Sequence, residues 1–440
     1  MDVIVARASA AGRSAVAWVR LSGDDVAMVR DAVCRPRRAG PWRSRVQRRV
    51  DLVHGPEAFD DGLATWVRGP HTATGEDTLE VGLHGNPLLV DRFVAACIAA
   101  GARLARPGEF TRRGVEHGKL DLLQAEGVDQ LIRARTADGL AVARAGVTGP
   151  LSDWVGALRA ELLAQAAELE ARLDYPDDEL ALASDEAVRE ALAGAAARCR
   201  GLAATQAAGR VRVEGARVAL VGPVNAGKSS LFNALLGRAR ALVHATPGTT
   251  RDVVEAPVVL GGQEVTLLDT AGERTTDDPV EAAGLALAQE LVDEADLLVV
   301  VLRQGPSDPV EAGILARTAR RPRVVVVNQV DRPDAPTVPE AVRTSAATGH
   351  GVHALGKAIA AAVTGQVRDD ALQIASERQA GRLLAVASLA DEAATCLDDA
   401  GPAVAADAVV EAIGVLDELT GADTREDVLS TLFARFCIGK

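Results

Sequence analysis

The sequence predicts a multidomain protein: an α+β domain, then a helical domain in two segments, with an α/β domain carrying a doubly wound sheet inserted between those segments. The first observation behind this prediction is length, because 440 residues are too many for one hydrophobic core. The second is a change of sequence texture along the chain, and the third is a βαβ pattern confined to one stretch. We expect the α+β domain at 1–117, the helical domain at 118–212 and 367–440, and the inserted domain at 213–366.

The N-terminal region mixes short strand-like runs with turns rich in glycine and proline, which indicates an α+β domain. One helical stretch interrupts the strands. The predicted strands and the helix are Ala15–Leu21, Asp61–Val67, Thr78–Leu83 and Leu88–Ala100.

The two helical segments share a texture rich in alanine, leucine and glutamate. In the first, apolar residues recur at steps of three and four from Leu151 to Leu169, and Asp185 opens a further helix after a break at Tyr175-Pro176. Two helical segments that flank an insert pack most simply as one domain. The ends of the insert should then lie close together in space.

The inserted region alternates apolar strand-like runs with helical segments, as a mostly parallel, doubly wound sheet requires. The runs are Val218–Val221, Val265–Leu268, Leu297–Leu302 and Val324–Val327.

Composition limits where the protein can work. No apolar run approaches the ~18 residues of a membrane span, and Met1–Trp18 carries two arginines and lacks the layout of a signal peptide. The five cysteines are scattered without a CxxC pair, which is typical of free thiols in a reducing compartment. We therefore expect a cytoplasmic protein with no membrane insertion.

The net charge of −13 does not attract nucleic acid, so contact with RNA would need a local basic patch. One candidate is an arginine-rich run. Its members are Arg35, Arg37, Arg38, Arg43, Arg45, Arg48 and Arg49. From composition alone, a pair of solvated strands is the preferred interpretation.

A phosphate-binding loop opens the inserted domain. Gly222-Pro-Val-Asn-Ala-Gly227-Lys228-Ser229 matches G-x-x-x-x-G-K-[ST] and stands between a predicted strand and a helix. Backbone N–H groups and the helix N-terminus should surround the phosphates. Lys228 should reach the β- and γ-phosphates, and the Ser229 hydroxyl should hold Mg²⁺.

Three further motifs follow in order. Asp269-Thr-Ala-Gly272 places a carboxylate near Mg²⁺ and a glycine N–H near the γ-phosphate, and Asn328-Gln-Val-Asp331 ends another strand. An aspartate there accepts N1–H and the 2-amino group of guanine, which adenine cannot offer, while Ser345-Ala346 brings a backbone N–H to O6. The four motifs predict GTP, and not ATP, as the ligand. Gln329 stands where G proteins usually have lysine, so we expect weaker guanine binding with unchanged specificity.

At this point the sequence resembles one family, the bacterial tRNA wobble-uridine modification GTPases of the MnmE (TrmE) type. The resemblance covers nearly the whole chain and includes the ending Cys-Ile-Gly-Lys together with an inserted Ras-like G domain. It is carried by Gly75-Glu-Asp-Thr-Leu-Glu80, His84-Gly85, Ala105-Arg-Pro-Gly-Glu-Phe110, Lys119-Leu-Asp-Leu122, Gly248-Thr-Thr-Arg-Asp252 and Phe436-Cys-Ile-Gly-Lys440.

The resemblance implies that K⁺ replaces an arginine finger while two G domains meet face to face. The implied K⁺ ligands are the Asn225 side chain, the carbonyls of His244 and Thr246 and the Thr249 hydroxyl, and Thr250 joins Ser229 as a ligand of Mg²⁺. The segment His244-Ala-Thr-Pro247 departs from the usual Thr-Asp-Ile-Ala of the family, and Pro247 should stiffen this loop. The residues expected at the nucleotide are Asn225, Ala226, Gly227, Lys228, Ser229, Ser230, His244, Ala245, Thr246, Pro247, Gly248, Thr249, Thr250, Asp269, Thr270, Ala271, Gly272, Asn328, Asp331, Ser345 and Ala346.

The resemblance also implies a catalytic glutamate that orients water. Alignment places it at Glu281, although a first-turn helix glutamate would look the same. Glu273, directly after Gly272, is a rival, because other GTPases have a catalytic glutamine there. We favour Glu281.

The N-terminal domain resembles folate-binding domains of the aminomethyltransferase type. The resemblance places a formyl- or methylene-tetrahydrofolate site on Arg20, Glu80, Lys119 and Lys440, whose charges suit the pterin edge and the glutamate carboxylates of the cofactor. Without the resemblance, these residues would be interpreted as surface charges. Cys437 at an apolar helix end is left out of the catalytic set.

The leading hypothesis is a homodimeric GTPase that works with an FAD-dependent partner of the MnmG (GidA) type, in a heterotetramer or larger complex, to install an aminomethyl-type group at C5 of the wobble uridine of certain tRNAs. A ribosome-assembly or RNA-binding G-protein switch is the alternative, although such proteins usually carry an appended basic module. A third hypothesis is a GTPase scaffold that binds folate without contributing to the chemistry.

Overall fold

The structure is a computed structural model that describes residues 2–174, 183–238, 254–261, 263–269, 292–364, 372–422, 426–434 and 436–439. The chain divides into two compact units. The first comprises Met1–Asp129, Gly146–Ala197 and Ala385–Lys440, and the second comprises Gln130–Ala145 and Arg198–Leu384. The inserted α/β domain lies in the second unit with short helical segments on either side, and the three domain boundaries predicted above stay predictions.

The first unit contains a seven-stranded sheet in the order β3-β4-β5-β6-β2-β1-β7. Its neighbours pair antiparallel except β1 and β7, which are parallel. The strands are β1 (Ile4–Arg7), β2 (Val16–Ser22), β3 (Cys34–Pro36), β4 (Gln47–His54), β5 (Glu57–Val67), β6 (Thr78–His84) and β7 (Arg103–Leu104).

Both faces of this sheet are covered in part. In β2 the alternation of apolar residues sends Ala17, Val19 and Leu21 into the core. The helices α1 (Val26–Val33) and α2 (Pro87–Ala99) pack on that face. On the other face, Phe110 of α3 (Glu109–Glu116) joins a smaller cluster with Ile4, Ala6 and Ala105.

Further helices follow the sheet in the first unit and continue into the second. They are α4 (Leu122–Arg133), α5 (Ala137–Thr148), α6 (Pro150–Asp174), α7 (Asp185–Ala203), α12 (Glu377–Asp399), α13 (Pro402–Thr420) and α14 (Glu426–Phe433). The buried residues of α6 repeat at the predicted steps of three and four, and α6 packs against α13. Arg159 on α6 makes two hydrogen bonds of 2.6 and 3.0 Å to Asp417 on α13. None of the helices that the structure describes is both long and apolar enough to cross a bilayer.

The second unit contains a six-stranded sheet in the order β13-β12-β11-β8-β10-β9. Among the described strands of this second sheet, only β9 runs antiparallel to its neighbour, β10. The elements are α8 (Gln206–Glu214), β8 (Ala216–Val221), α9 (Lys228–Arg238), β9 (Val254–Leu260), β10 (Gln263–Asp269), β11 (Leu297–Leu302), α10 (Pro309–Arg317), β12 (Arg323–Val327), β13 (Val342–Arg343) and α11 (Val352–Thr364). Separate apolar clusters cover its two faces, as a doubly wound sheet requires.

The chain enters and leaves the insert at neighbouring points, as the sequence requires. The Thr205 hydroxyl accepts a hydrogen bond of 3.2 Å from the backbone N–H of Ile374. The Gln206 amide donates one of 3.3 Å to the Ala375 carbonyl. Gly209 allows α8 to approach closely, because a Cβ there would lie 2.2 Å from the Ile374 oxygen.

Candidate nucleotide site

The loop from Gly222 to Gly227 joins the end of β8 to the start of α9, and glycine is required at both of its ends. A Cβ on Gly222 would lie 2.3 Å from the Val301 carbonyl oxygen of β11. A Cβ on Gly227 would lie 2.5 Å from Asn328 Nδ2, and Gly227 adopts a left-handed φ of 86°. The loop therefore lies so close to β11 and to Asn328 that neither glycine has room for a side chain.

Lys228 is the first residue of α9 and is only 7% exposed. Its ammonium group donates hydrogen bonds of 2.9 Å to the Gly222 carbonyl and 3.0 Å to the Pro223 carbonyl. The side chain thus curls back over the loop that precedes it. Its positive charge therefore lies beside the loop backbone. The partial positive charge at the N-terminus of α9 adds to it.

Asn328 ties the phosphate-binding loop to the last of the four motifs. This residue is 1% exposed and follows β12. Its Nδ2 donates to the Ala226 carbonyl at 2.9 Å, and its Oδ1 accepts from the Thr344 hydroxyl at 3.2 Å and from the Ala346 N–H at 3.3 Å. Because each side of one amide bonds a different segment, Asn328 fixes the spacing between the phosphate loop and Ser345-Ala346. We call Asn328–Asp331 and Ser345-Ala346 together the predicted base loop.

Gln329 reaches the same phosphate loop from the next position. It adopts a left-handed φ of 61°, and its Nε2 donates to the Asn225 carbonyl at 3.0 Å. Asn225 is also left-handed, with φ of 65°. Glutamine therefore links the base loop to the phosphate loop by a neutral hydrogen bond.

Asp331 and Ser345 lie side by side in the predicted base loop. Asp331 is exposed and Ser345 is fully buried. Hydrogen bonding with the Ser345 hydroxyl is the main cause that lowers the pKa of Asp331 below 3.8, so this carboxylate is ionised at neutral pH. An ionised, exposed carboxylate is able to accept the two N–H donors of a guanine edge.

Asp269 ends β10, next to Leu220 of β8. Its Oδ1 is buried and has no hydrogen-bond partner among the residues that the structure describes. An orphaned buried carboxylate oxygen beside a phosphate loop fits Mg²⁺ or one of its waters, since hard oxygen donors are what this ion prefers. The Ser229 hydroxyl, exposed in the first turn of α9, offers a second oxygen of the same kind.

Several predicted residues lie outside the described part of the chain. They are His244, Ala245, Thr246, Pro247, Gly248, Thr249, Thr250, Thr270, Ala271, Gly272, Glu273, Glu281 and Lys440. Of the predicted K⁺ ligands, the described residues therefore include only Asn225. The phosphate loop, Asp269, Asn328, Asp331 and the Ser345-Ala346 pair all lie at the carboxyl edge of the parallel strands, where α/β sheets bind ligands.

Comparison with known proteins assigns the chain along its whole length. A family model described as the GTP-binding protein TrmE N-terminus matches residues 3–119, and one described as the MnmE helical domain matches residues 122–437. The tRNA modification GTPase MnmE of Chloroflexus aurantiacus is 40% identical over 461 residues, with 100% of both chains covered. The chain belongs to the MnmE (TrmE) family.

Other relatives agree with this assignment. The tRNA modification GTPase MnmE of Symbiobacterium thermophilum is 39% identical and covers 100% of this chain and 99% of its own length. Among solved structures, Aquifex aeolicus Era is 24% identical over 40% of this chain and 66% of its own, with a TM-score of 0.28 that is too low to bear on the fold. The predicted family, the three-part architecture and a GTP-hydrolysing enzyme are confirmed.

Of the four residues predicted at the folate site, the structure pairs two. Arg20 on β2 and Glu80 on β6 are cross-strand neighbours and form an ion pair of 2.8 Å, and the Arg20 guanidinium lies 5.9 Å from the Phe110 ring. Lys119 is exposed and packs beside Gly75. Gly439, next to the predicted Lys440, lies against the backbone of Arg7.

Two of the family motifs hold a buried ion network that sequence reasoning missed. Arg113 is 3% exposed and donates to Glu76 at 2.9 and 3.0 Å. It also bonds Asp2 at 2.7 Å and Glu109 at 3.4 Å. Arg103 completes the network through Asp2 and Glu109. The arginines that flank Glu109 were the available signal, whereas the charged neighbours of Glu76 are acidic and its network partner Asp2 is over seventy residues away along the chain.

Proposed function

We propose that this GTPase supports modification of the wobble uridine (U34) of certain tRNAs. Its nucleotide cycle would drive installation of an aminomethyl or carboxymethylaminomethyl group at C5 of that base, with a reduced folate as the one-carbon donor and an FAD-dependent partner. The observation that carries the proposal is the Asn328 junction, where one buried amide joins the phosphate loop to the base loop in a chain that matches its MnmE relative over the whole length of that relative. The relatives' name, tRNA modification GTPase, supports tRNA as the substrate.

The chain's own residues bind and orient GTP in this proposal. Lys228 leaves the carbonyls of Gly222 and Pro223 and pairs with the β- and γ-phosphates, and Asp331 accepts the paired donors of guanine. Bound Mg²⁺ would neutralise phosphate charge, held by Ser229 and Thr250 with Asp269 close by. The other residues proposed at the nucleotide are Asn225, Ala226, Gly227, Ser230, His244, Ala245, Thr246, Pro247, Gly248, Thr249, Thr270, Ala271, Gly272, Asn328, Ser345 and Ala346.

Potassium activation is part of the proposal. The Asn225 side chain is exposed on the phosphate loop while its carbonyl is held by Gln329, so its amide oxygen is free to face an ion beside the phosphates. Bound K⁺ would supply the positive charge that an arginine finger gives elsewhere, held also by His244, Thr246 and Thr249.

Glu281 is the residue we propose to orient the attacking water, with Glu273 as its rival. Turnover of the variants Glu281→Ala and Glu273→Ala, in potassium and in sodium buffers, separates these assignments. We expect Glu281→Ala to bind GTP but lose turnover, Glu273→Ala to retain it, and the unaltered chain to be faster in potassium. Loss of turnover in Glu273→Ala alone would reverse the assignment, and equal rates in both salts would remove K⁺.

The N-terminal domain is proposed to bind formyl- or methylene-tetrahydrofolate through Arg20, Glu80, Lys119 and Lys440. The Arg20–Glu80 pair supports this, because both side chains are partly exposed, at 31% and 42%, beside an aromatic ring. A carboxylate and a guanidinium side by side can bind the donors of a pterin and the carboxylates of its glutamate tail.

The assembly we propose is a cytoplasmic homodimer, held by the N-terminal domain at 1–117, whose G domains at 213–366 associate during the cycle. A partner of the MnmG (GidA) type would supply FAD, and the helical segments 118–212 and 367–440 would carry the G domain. The homology of the whole chain to its relatives supports this arrangement.

Nucleoside analysis of bulk tRNA tests the proposal. We expect tRNA from a strain lacking the gene to have uridine without the C5 group at the wobble position. The unaltered gene should restore the group, and a Lys228→Ala copy expressed at the same level should not. Full modification in the deletion strain would remove the proposed function.

A further inference from the structure

The N-terminal domain carries an arginine surface that the GTPase cycle does not use. Residues 35–49 include seven of the 48 basic residues of the chain and none of its 61 acidic residues. They form β3, the loop after it and the start of β4, at the edge of the seven-stranded sheet. We call residues 35–49 the arginine hairpin.

Two of its arginines are neutralised by carboxylates on neighbouring strands. Arg37 donates to Asp51 at 2.5 Å, and Arg49 donates to Asp61 at 2.8 Å. These two ion pairs agree with the interpretation from composition, a pair of solvated strands. Because a carboxylate neutralises each arginine, the pairs offer little net charge to a ligand.

Two others order the loop while keeping their charge. The Arg48 guanidinium donates to the Gly40 carbonyl at 2.7 Å and to the Arg38 carbonyl, and it lies 5.3 Å from the Trp42 ring. The Arg45 guanidinium donates to the His71 carbonyl at 2.5 Å. Carbonyl acceptors are neutral, so both side chains add positive potential to a loop that they also hold in place.

The remaining three arginines are Arg35, Arg38 and Arg43, and they indicate a binding surface. All three are exposed, and none forms an ion pair with any residue in the part of the chain that the structure describes. Residues 35–43 therefore carry three guanidinium groups without an ion pair to any described residue, in a protein whose net charge is −13. Arg35 lies opposite Asp51 in the pairing of β3 with β4, but the Asp51 carboxylate is bonded by Arg37. Such a set of guanidinium groups is the electrostatic footprint of a polyanion site.

We infer that the arginine hairpin binds the phosphate backbone of the tRNA substrate. The inference rests on the proposed function, which supplies a polyanion as the substrate. The acidic remainder of the chain repels RNA, so contact is confined to a basic surface such as this one. Guanidinium groups bind phosphate by paired hydrogen bonds. The edge strand β3 lies three strand spacings, about 14 Å, from β6, which carries Glu80 of the proposed folate site.

Binding of a labelled tRNA transcript to the full-length protein tests the inference. The test variant is Arg35→Gln/Arg38→Gln/Arg43→Gln, and the matched control is Arg133→Gln/Arg317→Gln/Arg320→Gln, which removes the same charge from exposed sites in the other compact unit. We expect affinity at about 0.1 M salt to fall at least tenfold in the test variant and less than twofold in the control. The slope of log affinity against log salt should decrease in magnitude by about 2 for three lost phosphate contacts.

The outcomes separate this inference from the proposed function. GTP turnover without tRNA should be unchanged in both variants, which verifies the G domain, and thermal unfolding curves like that of the unaltered chain verify folding of the N-terminal domain. Equal tRNA affinity in the test variant and the unaltered chain, or an equal loss in the control, would overturn the hairpin assignment while leaving the proposed function standing. Loss of self-association in the test variant with tRNA affinity retained would assign the hairpin to a second copy and also overturn it. Absence of tRNA binding by the unaltered protein, together with full modification in the deletion strain, would remove the proposed function itself.

Discussion

Gln329 shows how a single residue can depart from a family pattern and still fit the site. Its side chain hydrogen-bonds the Asn225 carbonyl, so the link between base loop and phosphate loop survives without a lysine. Compared with a lysine side chain, the glutamine side chain is shorter, covers less of the base and carries no charge. We therefore expect the guanine specificity, which we assign to Asp331, to be retained while affinity for the base is weaker.

Residues in the same motif have different roles, which the sequence could not separate. Glu80 is partly exposed and stays a candidate ligand, whereas Glu76, four positions earlier, is buried against Arg113. Removal of one partner from a buried pair leaves an unpaired charge. Exposed pairs contribute much less, because water screens them.

The first prediction compares these two situations. Glu76→Ala should lower the free energy of unfolding by about 3 kcal/mol, because the Arg113 guanidinium keeps only Asp2 and Glu109. The control Asp51→Ala breaks the exposed pair with Arg37 and should cost clearly less, because water screens that pair. Chemical denaturation of the full chain measures both values. Equal losses in the two variants would contradict the buried role of Glu76.

Among the secondary-structure elements, the strands and helices that the sequence predicted are those with a continuous apolar run or a regular spacing of apolar residues. The runs at Leu297–Leu302 and Thr78–Leu83 and the helix opened by Asp185 are confirmed, with bounds that differ by at most one residue. Of the strands that were missed, β1 is only four residues long, and its parallel partner β7 lies far along the chain. β9 pairs with the neighbouring β10 in a hairpin, but Pro257 interrupts its run of strand-forming residues.

The phosphate loop illustrates a feature that the sequence predicted only in part. Its glycines and its lysine follow from the motif. The contact of Gly227 with Asn328 joins residues a hundred positions apart, so it emerges only when β8 and β12 enter one sheet. The buried carboxylate of Glu311 was also not predicted, although the backbone N–H groups whose hydrogen bonds it accepts, those of residues 303–305 beyond β11, are near it along the chain.

A pair of glycine variants tests this loop. Gly227→Ala should weaken GTP binding by at least about tenfold, because its Cβ would lie 2.5 Å from Asn328 Nδ2 and its φ of 86° disfavours a side chain. Gly237→Ala, near the end of the following helix, meets nothing within 4 Å and should bind GTP normally. Titration with a fluorescent GTP analogue measures both affinities. Normal binding by Gly227→Ala would contradict the close packing of the loop.

At the scale of the whole molecule, a G domain is inserted into a helical framework whose chain enters and leaves at adjoining points. The contacts of Thr205 and Gln206 with residues 374–375 join the two ends of the insert. This junction followed from the sequence, because two helical segments of like texture flank the insert. The buried network around Arg113 did not, because its members come from distant parts of the chain.

We propose that Asp331, beside the phosphate loop, recognises guanine and so selects GTP as the nucleotide that this protein hydrolyses. Steady-state hydrolysis of GTP and of xanthosine triphosphate by the unaltered chain and by Asp331→Asn tests it most directly. We predict that the variant loses most of its GTP turnover and gains turnover with xanthosine triphosphate, since an amide oxygen and donor suit the xanthine edge. Unchanged GTP preference in Asp331→Asn would contradict the account.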